Sequence, residues 1–354
     1  MNYNGNSPSS GSAPTDGTAY SSGATVTVAG NSGSLVKSGF SFGGWCTTQP
    51  ATGAACGGTL RAAASTFTIL GSTTLYAQWT ANTLTVTTDE QGGSGIANAS
   101  TSTGASMASS PGTPTRSGYT FNGWFVASSG GSAITFPYAH GQTANFTLYA
   151  QWTLTCASGG ECAVGDIGPG GGVVFYVHAS GTFTSSGSVC NTTCRYLEVA
   201  PESSEVQRSW ATGANTNRTV GTAGQPSIGY GYQNTIDIKN QSGNVAASSA
   251  ATYAFEYVNN GKSDWHLPSR HELNQLCRYA RNLSTNNSND CTNGSGSLRA
   301  NFSSDDYWSS TEVIDQESSK AWTRDFGSGA GSFSTNQNKL KSVTGVRVRP
   351  VRAF

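Results

Sequence analysis

Charge is scarce in this sequence: only 11% of its 354 residues are Asp, Glu, Lys or Arg, and 19 basic side chains offset 19 acidic ones to a formal net charge of +0. Such a balance gives no overall field to hold nucleic acid or an anionic membrane surface, so a polyanion could engage only a local patch. Long apolar runs are missing too. No stretch approaches the roughly 20 apolar residues that cross a bilayer, and the opening MNYNGNSPSS lacks the basic start and apolar core of an export signal. Membrane insertion by this stretch of chain is therefore not expected. What is abundant is glycine, 45 residues set among Ser, Thr and Asn, with 10% aromatics to supply apolar burial. That is the balance of short strands and many turns rather than long helices, and at about 100–200 residues per domain the length predicts two or three domains.

The eight cysteines fall into four sequence-local couples: Cys46 with Cys56, Cys156 with Cys162, Cys190 with Cys194, and Cys277 with Cys291. Local bracketing of loops reads as disulfides formed in an oxidising compartment. A zinc site needs two couples converging at ligand spacing. Only Cys190 and Cys194 have that spacing, with His178 the nearest further candidate, so disulfides are favoured and no metal or cofactor is expected. Secreted-type cysteines without an export signal lead to the expectation that the natural protein continues N-terminally.

Self-similarity dominates the first half. KSGFSFGGW at 37–45 returns as RSGYTFNGW at 116–124, and TLYAQWT at 74–80 returns unchanged at 147–153. The first copy carries an insertion, CTTQPATGAAC at 46–56, which a disulfide could close. Alternating Phe40, Phe42 and Trp45, and Tyr119, Phe121 and Trp124, mark half-buried strands. The second copy opens on a strand at Leu84, whereas the first has only NYNGN, so about one strand is expected to be cut away there. These motifs resemble the Listeria-Bacteroides (internalin B-type) repeat, which implies small β-rich, β-grasp-like spacer modules of bacterial surface proteins: one at 1–80, N-terminally truncated, and one at 81–153.

Residues 154–163 read as a linker stiffened by its own cysteine couple, and a new domain is expected over 164–354; the chain beyond residue 153 holds 16 of the 19 basic and 16 of the 19 acidic residues. VGDIGPGGGVVFYV at 164–177 is a glycine turn feeding a buried strand, without the Gly-Lys-Ser/Thr of a phosphate loop. Residues 244–258 predict a helix ended by Asn260-Gly261. A second helix follows, with Ser269 and Glu272 as a capping box and Leu273, Leu276, Cys277 and Ala280 on one buried face. Apolar anchors Tyr307-Trp308, Ala321-Trp322, Phe326, Val346, Val348 and Val351 then alternate with polar stretches that should face solvent. VGDIGPGGGVVFYV, YLEVAP, SDWHLPSRHELNQLC, YWSSTE and the closing VRPVRAF resemble the Lcl-type C-terminal domain and the related Fibrobacter major paralogous domain. The resemblance implies an α+β, C-type-lectin-like fold related to formylglycine-generating enzyme. Relatives include surface adhesins and the variable proteins of diversity-generating retroelements.

The whole is thus expected to be multidomain, two β-rich repeats followed by an α+β head, and to act as a cell-surface or secreted adhesin-like binder rather than an enzyme. The candidate ligand residues are Val313, Ile314, Asp315, Gln316, Glu317 and Ser318 in one polar stretch, Thr323, Arg324 and Asp325 beyond it, and Lys339 and Lys341 near the C-terminus. The expected ligand is an extracellular glycan or a surface protein, with homo-oligomerisation a further partner arrangement. Arg347, Arg349 and Arg352, with Lys339 and Lys341, could form an anion-binding strip; the alternative is that the arginines hold the sheet, paired with Asp305, Asp306 and Glu312, and that role is favoured for Arg347 and Arg349. His266 reads as scaffold and His271 as a solvent-facing helix residue. No Glu-Pro-Asn or Trp-Asn-Asp triplet supports a calcium-dependent sugar site. Three rival functions are carried: a retroelement variable protein, an oxidase related to formylglycine-generating enzyme, which would need a reactive cysteine pair, and a purely structural repeat protein.

Overall fold

The computed structural model describes residues 1–220, 224–242, 249–287, 289–291, 296–313, 318–327 and 338–354. The chain divides into two compact units, Met1–Thr153 and Leu154–Phe354. It is mostly β, with three α-helices among the described residues.

In the first unit the two repeats reproduce one frame. Phe40–Cys46 pairs antiparallel with Thr74–Ala81, and the equivalent strands Tyr119–Phe125 and Phe146–Leu154 are neighbours in the second sheet. The tryptophans define the match. Trp45 and Trp124 donate their indole N–H to the carbonyls of Ala29 and Gly112 at 2.9 and 2.8 Å, and Trp79 and Trp152 donate to Gly5 and Glu90 at 3.0 and 2.9 Å. Each ring thereby fills a small apolar core while its one polar atom is satisfied. The glycine before each motif tryptophan has to be glycine, because Gly44 and Gly123 adopt φ of 122° and 119°. The strand expected to be missing from the first repeat is present in short form: Asn2–Asn4 lies parallel to Thr74, Leu75 and Tyr76, as Thr83–Asp89 lies parallel to Phe146–Leu154.

The second unit begins with the cysteine-bracketed segment. Cys156 is buried against Val174 and Tyr196, so this segment packs on the second unit's own sheet rather than serving as a bare linker. Val173–Val177, Tyr196–Val199 and Val351–Ala353 form a three-stranded antiparallel sheet, and five further strands run in the order Val206–Gln207, Arg347–Val348, Asp306–Glu312, Lys320–Asp325, Asn338–Leu340. Helix α3, Arg270–Ala280, begins with the predicted capping box: Ser269 N–H donates to Glu272 at 2.8 Å, and Glu272 N–H donates to the Ser269 hydroxyl at 3.3 Å. Its Leu273, Leu276, Cys277 and Ala280 enter the main core with Phe175, Leu197, Tyr307 and Phe326.

Two helices depart from expectation. The helix expected over 244–258 is α2, Ala250–Glu256; residues 243–248 lie outside the described part, and Tyr257 is already extended, its ring edge-on to Trp265 at 5.3 Å. Before it runs α1, Gly231–Asn240, which the sequence pattern did not predict. Its GYQNTIDIKN is too polar to show an apolar stripe, but tertiary packing buries Tyr232, Asn234, Thr235 and Ile238. Thr235 serves as the joint, accepting from Leu267 N–H at 3.0 Å. All eight cysteines pair as the sequence predicted.

Candidate binding face

Polar residues of the strand pair Asp306–Glu312 and Lys320–Asp325 are mostly inside. Ser309, Ser310, Thr311 and Glu312 are all buried, as are Ala321, Thr323 and Arg324. Both strands sit in the interior of the five-stranded order, so their hydroxyls meet backbone instead of water; Ser309, for one, donates to the Trp322 carbonyl at 3.0 Å. This corrects the expectation for Thr323 and Arg324. Thr323 stands opposite Trp308. Arg324 is enclosed, donates to the Cys291 carbonyl, and is pushed down to about 10 by burial.

Lys341 is corrected in the same way. Its ammonium is fully buried against Glu312, with further hydrogen bonds to the carbonyls of Arg218 at 2.7 Å and Ser318 at 2.6 Å, and the Trp210 ring 4.8 Å away. Burial pushes its pKa down and the Glu312 carboxylate pushes it back up. The second carboxylate oxygen of Glu312 accepts from Val220 N–H at 2.9 Å. One cation thus gathers three segments: the chain before Val220, the loop after Val313 and the last edge strand.

Of the remaining expected ligand residues, Val313 closes its loop through a backbone bond to Lys320 at 3.2 Å. Ser318 is exposed, its hydroxyl donating to the Asn217 carbonyl at 3.1 Å. Asp325 is half-buried and accepts from Gly327 N–H at 2.6 Å. Lys339 is partly exposed and paired with Asp306 at 2.9 Å. Ile314, Asp315, Gln316 and Glu317 lie outside the described residues. The structure therefore brings Val313, Ser318 and Lys341 to one loop base, and leaves Asp325 at the end of an interior strand and Lys339 on the edge strand beside it.

The C-terminal arginines hold the fold, with partners other than those expected for two of them. Arg347 bridges Asp305 at 2.8 Å and Glu205 at 3.1 Å, Arg349 pairs with Glu205 at 3.0 Å, and Arg352 lies between Glu198 and Asp264. Glu198 also accepts from Gly170 and Gly172 N–H at 2.9 and 3.1 Å, which ties the GPGGG turn to the C-terminal strand; burial raises its pKa against the pull of Arg352. Tyr307 donates to Glu205 at 2.7 Å, and burial and that bond push its hydroxyl well above the ordinary phenol range. His266 is fully buried with Nε2 3.3 Å from Glu272, a contact outside hydrogen-bond geometry. The sulfurs of Cys190 and Cys194 are joined to each other, and among the described residues no group of three or more His, Cys, Asp or Glu could hold a metal.

A concavity that sequence reasoning missed opens beside α3. It measures about 380 Å³ and is lined by Tyr176, Ile228, Arg270, His271, and residues of the loop closed by Cys277–Cys291. The only signal for it in the sequence is the amide-rich run NNSND before Cys291.

Comparison with known families matches these parts. Residues 2–78 and 85–151 fit the Listeria-Bacteroides repeat domain, and residues 205–352 fit the Lcl C-terminal domain. The chain carries two Listeria-Bacteroides repeats and an Lcl C-terminal domain. It is also similar to internalin H of Listeria monocytogenes serovar 1/2a, 36% identical over 117 residues, a third of this chain and one fifth (20%) of that protein. The Lcl match starts beyond the first four strands of the second unit and includes the whole of the Glu205, Glu312 and Lys341 framework. These families and the four disulfides point to a surface or secreted protein. Among the described residues no helix is long and apolar enough to cross a membrane.

Proposed function

We propose that this chain is an adhesin-like binding protein, with its repeats serving as a stalk and its Lcl domain as the head that takes an extracellular glycan or a surface protein. In this reading the repeats are β-grasp-like and the head is a C-type-lectin-like α+β domain. The observation that carries it is the Lys341 anchor. A buried ammonium fixes the base of the 313–320 loop to the segment at Arg218 and to the edge strand, so the loop is mounted on a fixed frame. Loops so mounted are where recognition concentrates. The chain is read as non-enzymatic: an oxidase of the formylglycine-generating kind would need reactive thiols, and all eight cysteines are in disulfides.

The test is alanine substitution of residues 314–318, leaving Val313 and Lys320, whose backbones close the loop. Binding should fall at least tenfold while the melting transition of the head stays unchanged. Full affinity in a folded variant would remove the loop from the site.

A further inference from the structure

We infer that the cleft between α3 and the loop closed by Cys277–Cys291 is a binding site for an uncharged, hydroxyl-rich sugar unit. The inference rests on the reading of the domain as a binding head, but assigns a site apart from the 313–320 loop.

The cleft is built rather than incidental. One side of it is fastened by four side chains from a single stretch of α3. Asn274 donates to the Asn289 carbonyl at 3.1 Å and accepts from Cys291 N–H at 2.8 Å. Gln275 donates to the Asn287 carbonyl at 2.7 Å and accepts from Asn286 N–H at 2.8 Å. Arg278 donates to the carbonyls of Ser284, Asn289 and Asp290 at 2.7, 3.2 and 3.2 Å, and Cys277 adds the covalent tie. A wall fixed this way needs little ordering when a ligand arrives.

Three of the polar side chains that line the space leave donors and acceptors open. Tyr176 is only 5% exposed and its ring packs near Phe183 at 6.3 Å, yet its hydroxyl has no hydrogen-bond partner among the described residues. The His271 ring and the Asn286 carboxamide are exposed and likewise have none among those residues. A phenol, an imidazole and a carboxamide each donate and accept, as a sugar hydroxyl does. Among the described lining residues Ile228 is the one aliphatic, too little to hold an apolar ligand, whose pockets are mainly hydrophobic. Charge does not favour a polyanion. Asp290 lines the same space, and the Arg270 guanidinium carbon sits over the Trp322 ring, 3.7 Å from its centroid. A volume of about 380 Å³ admits a short run of sugar rings.

The experiment uses the whole chain with its disulfides intact. Saturation-transfer NMR is run with methyl glycosides of neutral hexoses and N-acetylhexosamines, and in parallel with a heparin oligosaccharide. Tyr176→Phe keeps the packed ring and removes the hydroxyl, and His271→Ala alters an exposed position, so both should fold. The expected result is transfer to at least one neutral glycoside, insensitive to added salt, weakened about tenfold by each substitution, as loss of one or two hydrogen bonds would give. Transfer unaffected by both substitutions, or seen only for the heparin oligosaccharide, overturns the proposal. If alanines at 314–318 abolish sugar binding while the cleft variants keep it, the cleft fails and the binding-head reading stands. If the intact chain binds neither sugars nor surface proteins, both fail.

Discussion

Replacing Lys341 with Met is the sharpest perturbation of the head. The methionine keeps most of the aliphatic stem and removes the ammonium. In the native chain the side chains of Lys341 and Glu312 are 0% and 1% exposed. After the change, the Glu312 carboxylate keeps the Val220 N–H but loses its cation, and the Arg218 and Ser318 carbonyls each lose a donor. Breaking one side of a buried ion pair costs about 3–5 kcal/mol, because the remaining charge stays desolvated. For a unit of this size each kcal/mol lowers the midpoint by roughly 2–4 °C, so the head transition should fall by about 6–20 °C. Scanning calorimetry of the whole chain reads it. The double variant Glu312→Gln/Lys341→Met should recover much of the loss, since no unpaired charge remains. A drop below about 1 kcal/mol for the single variant, the size of a screened surface pair, would refute the reasoning.

Other consequences follow from the same framework. Tyr307 keeps its proton in the fold at a pH where the unfolded chain, with the ordinary phenol pKa of 10.0, ionises. Its contribution is therefore fully present below pH 10 and is lost as pH rises beyond it; urea midpoints between pH 8 and 11 should fall more steeply for the native chain than for Tyr307→Phe. Removing the Cys277–Cys291 bridge, which spans 14 residues, should cost about 3 kcal/mol and speed amide exchange at Asn286 and Cys291. In the repeats, Gly44→Ala should destabilise more than Gly123→Ala. A Cβ at Gly44 would sit 2.8 Å from the Arg61 carbonyl, whereas the nearest atom to one at Gly123 is the Ala133 methyl at 3.1 Å; denaturation of each variant gives the order.

The repeats were legible because their signals are local. A glycine–tryptophan turn and a TLYAQW strand recur, and the four indoles turn out to make matching bonds. The cysteine couples and the Ser269 capping box were legible for the same reason. What failed were inferences about polar residues whose setting is made by distant chain. Thr323, Arg324 and Lys341 look solvent-seeking in a window of ten residues, and become interior only when Asp306–Glu312, the segment near Arg218 and the disulfide loop close around them. Arg347 and Arg349 were read as structural, but the partners of the VRPVRAF arginines, Glu198, Glu205 and Asp264, lie 88 to 154 residues away and carry no local mark. The cleft beside α3 is hidden likewise, since Tyr176 and Asn286 share no sequence neighbourhood.

The central claim is that the head binds an extracellular ligand. The most direct measurement passes the intact, oxidised chain over an array of surface glycans and surface proteins, with the 314–318 alanine variant alongside. The account predicts saturable binding to a restricted set of spots that the variant loses. A folded chain that binds nothing on the array would contradict it and leave a structural repeat protein in its place.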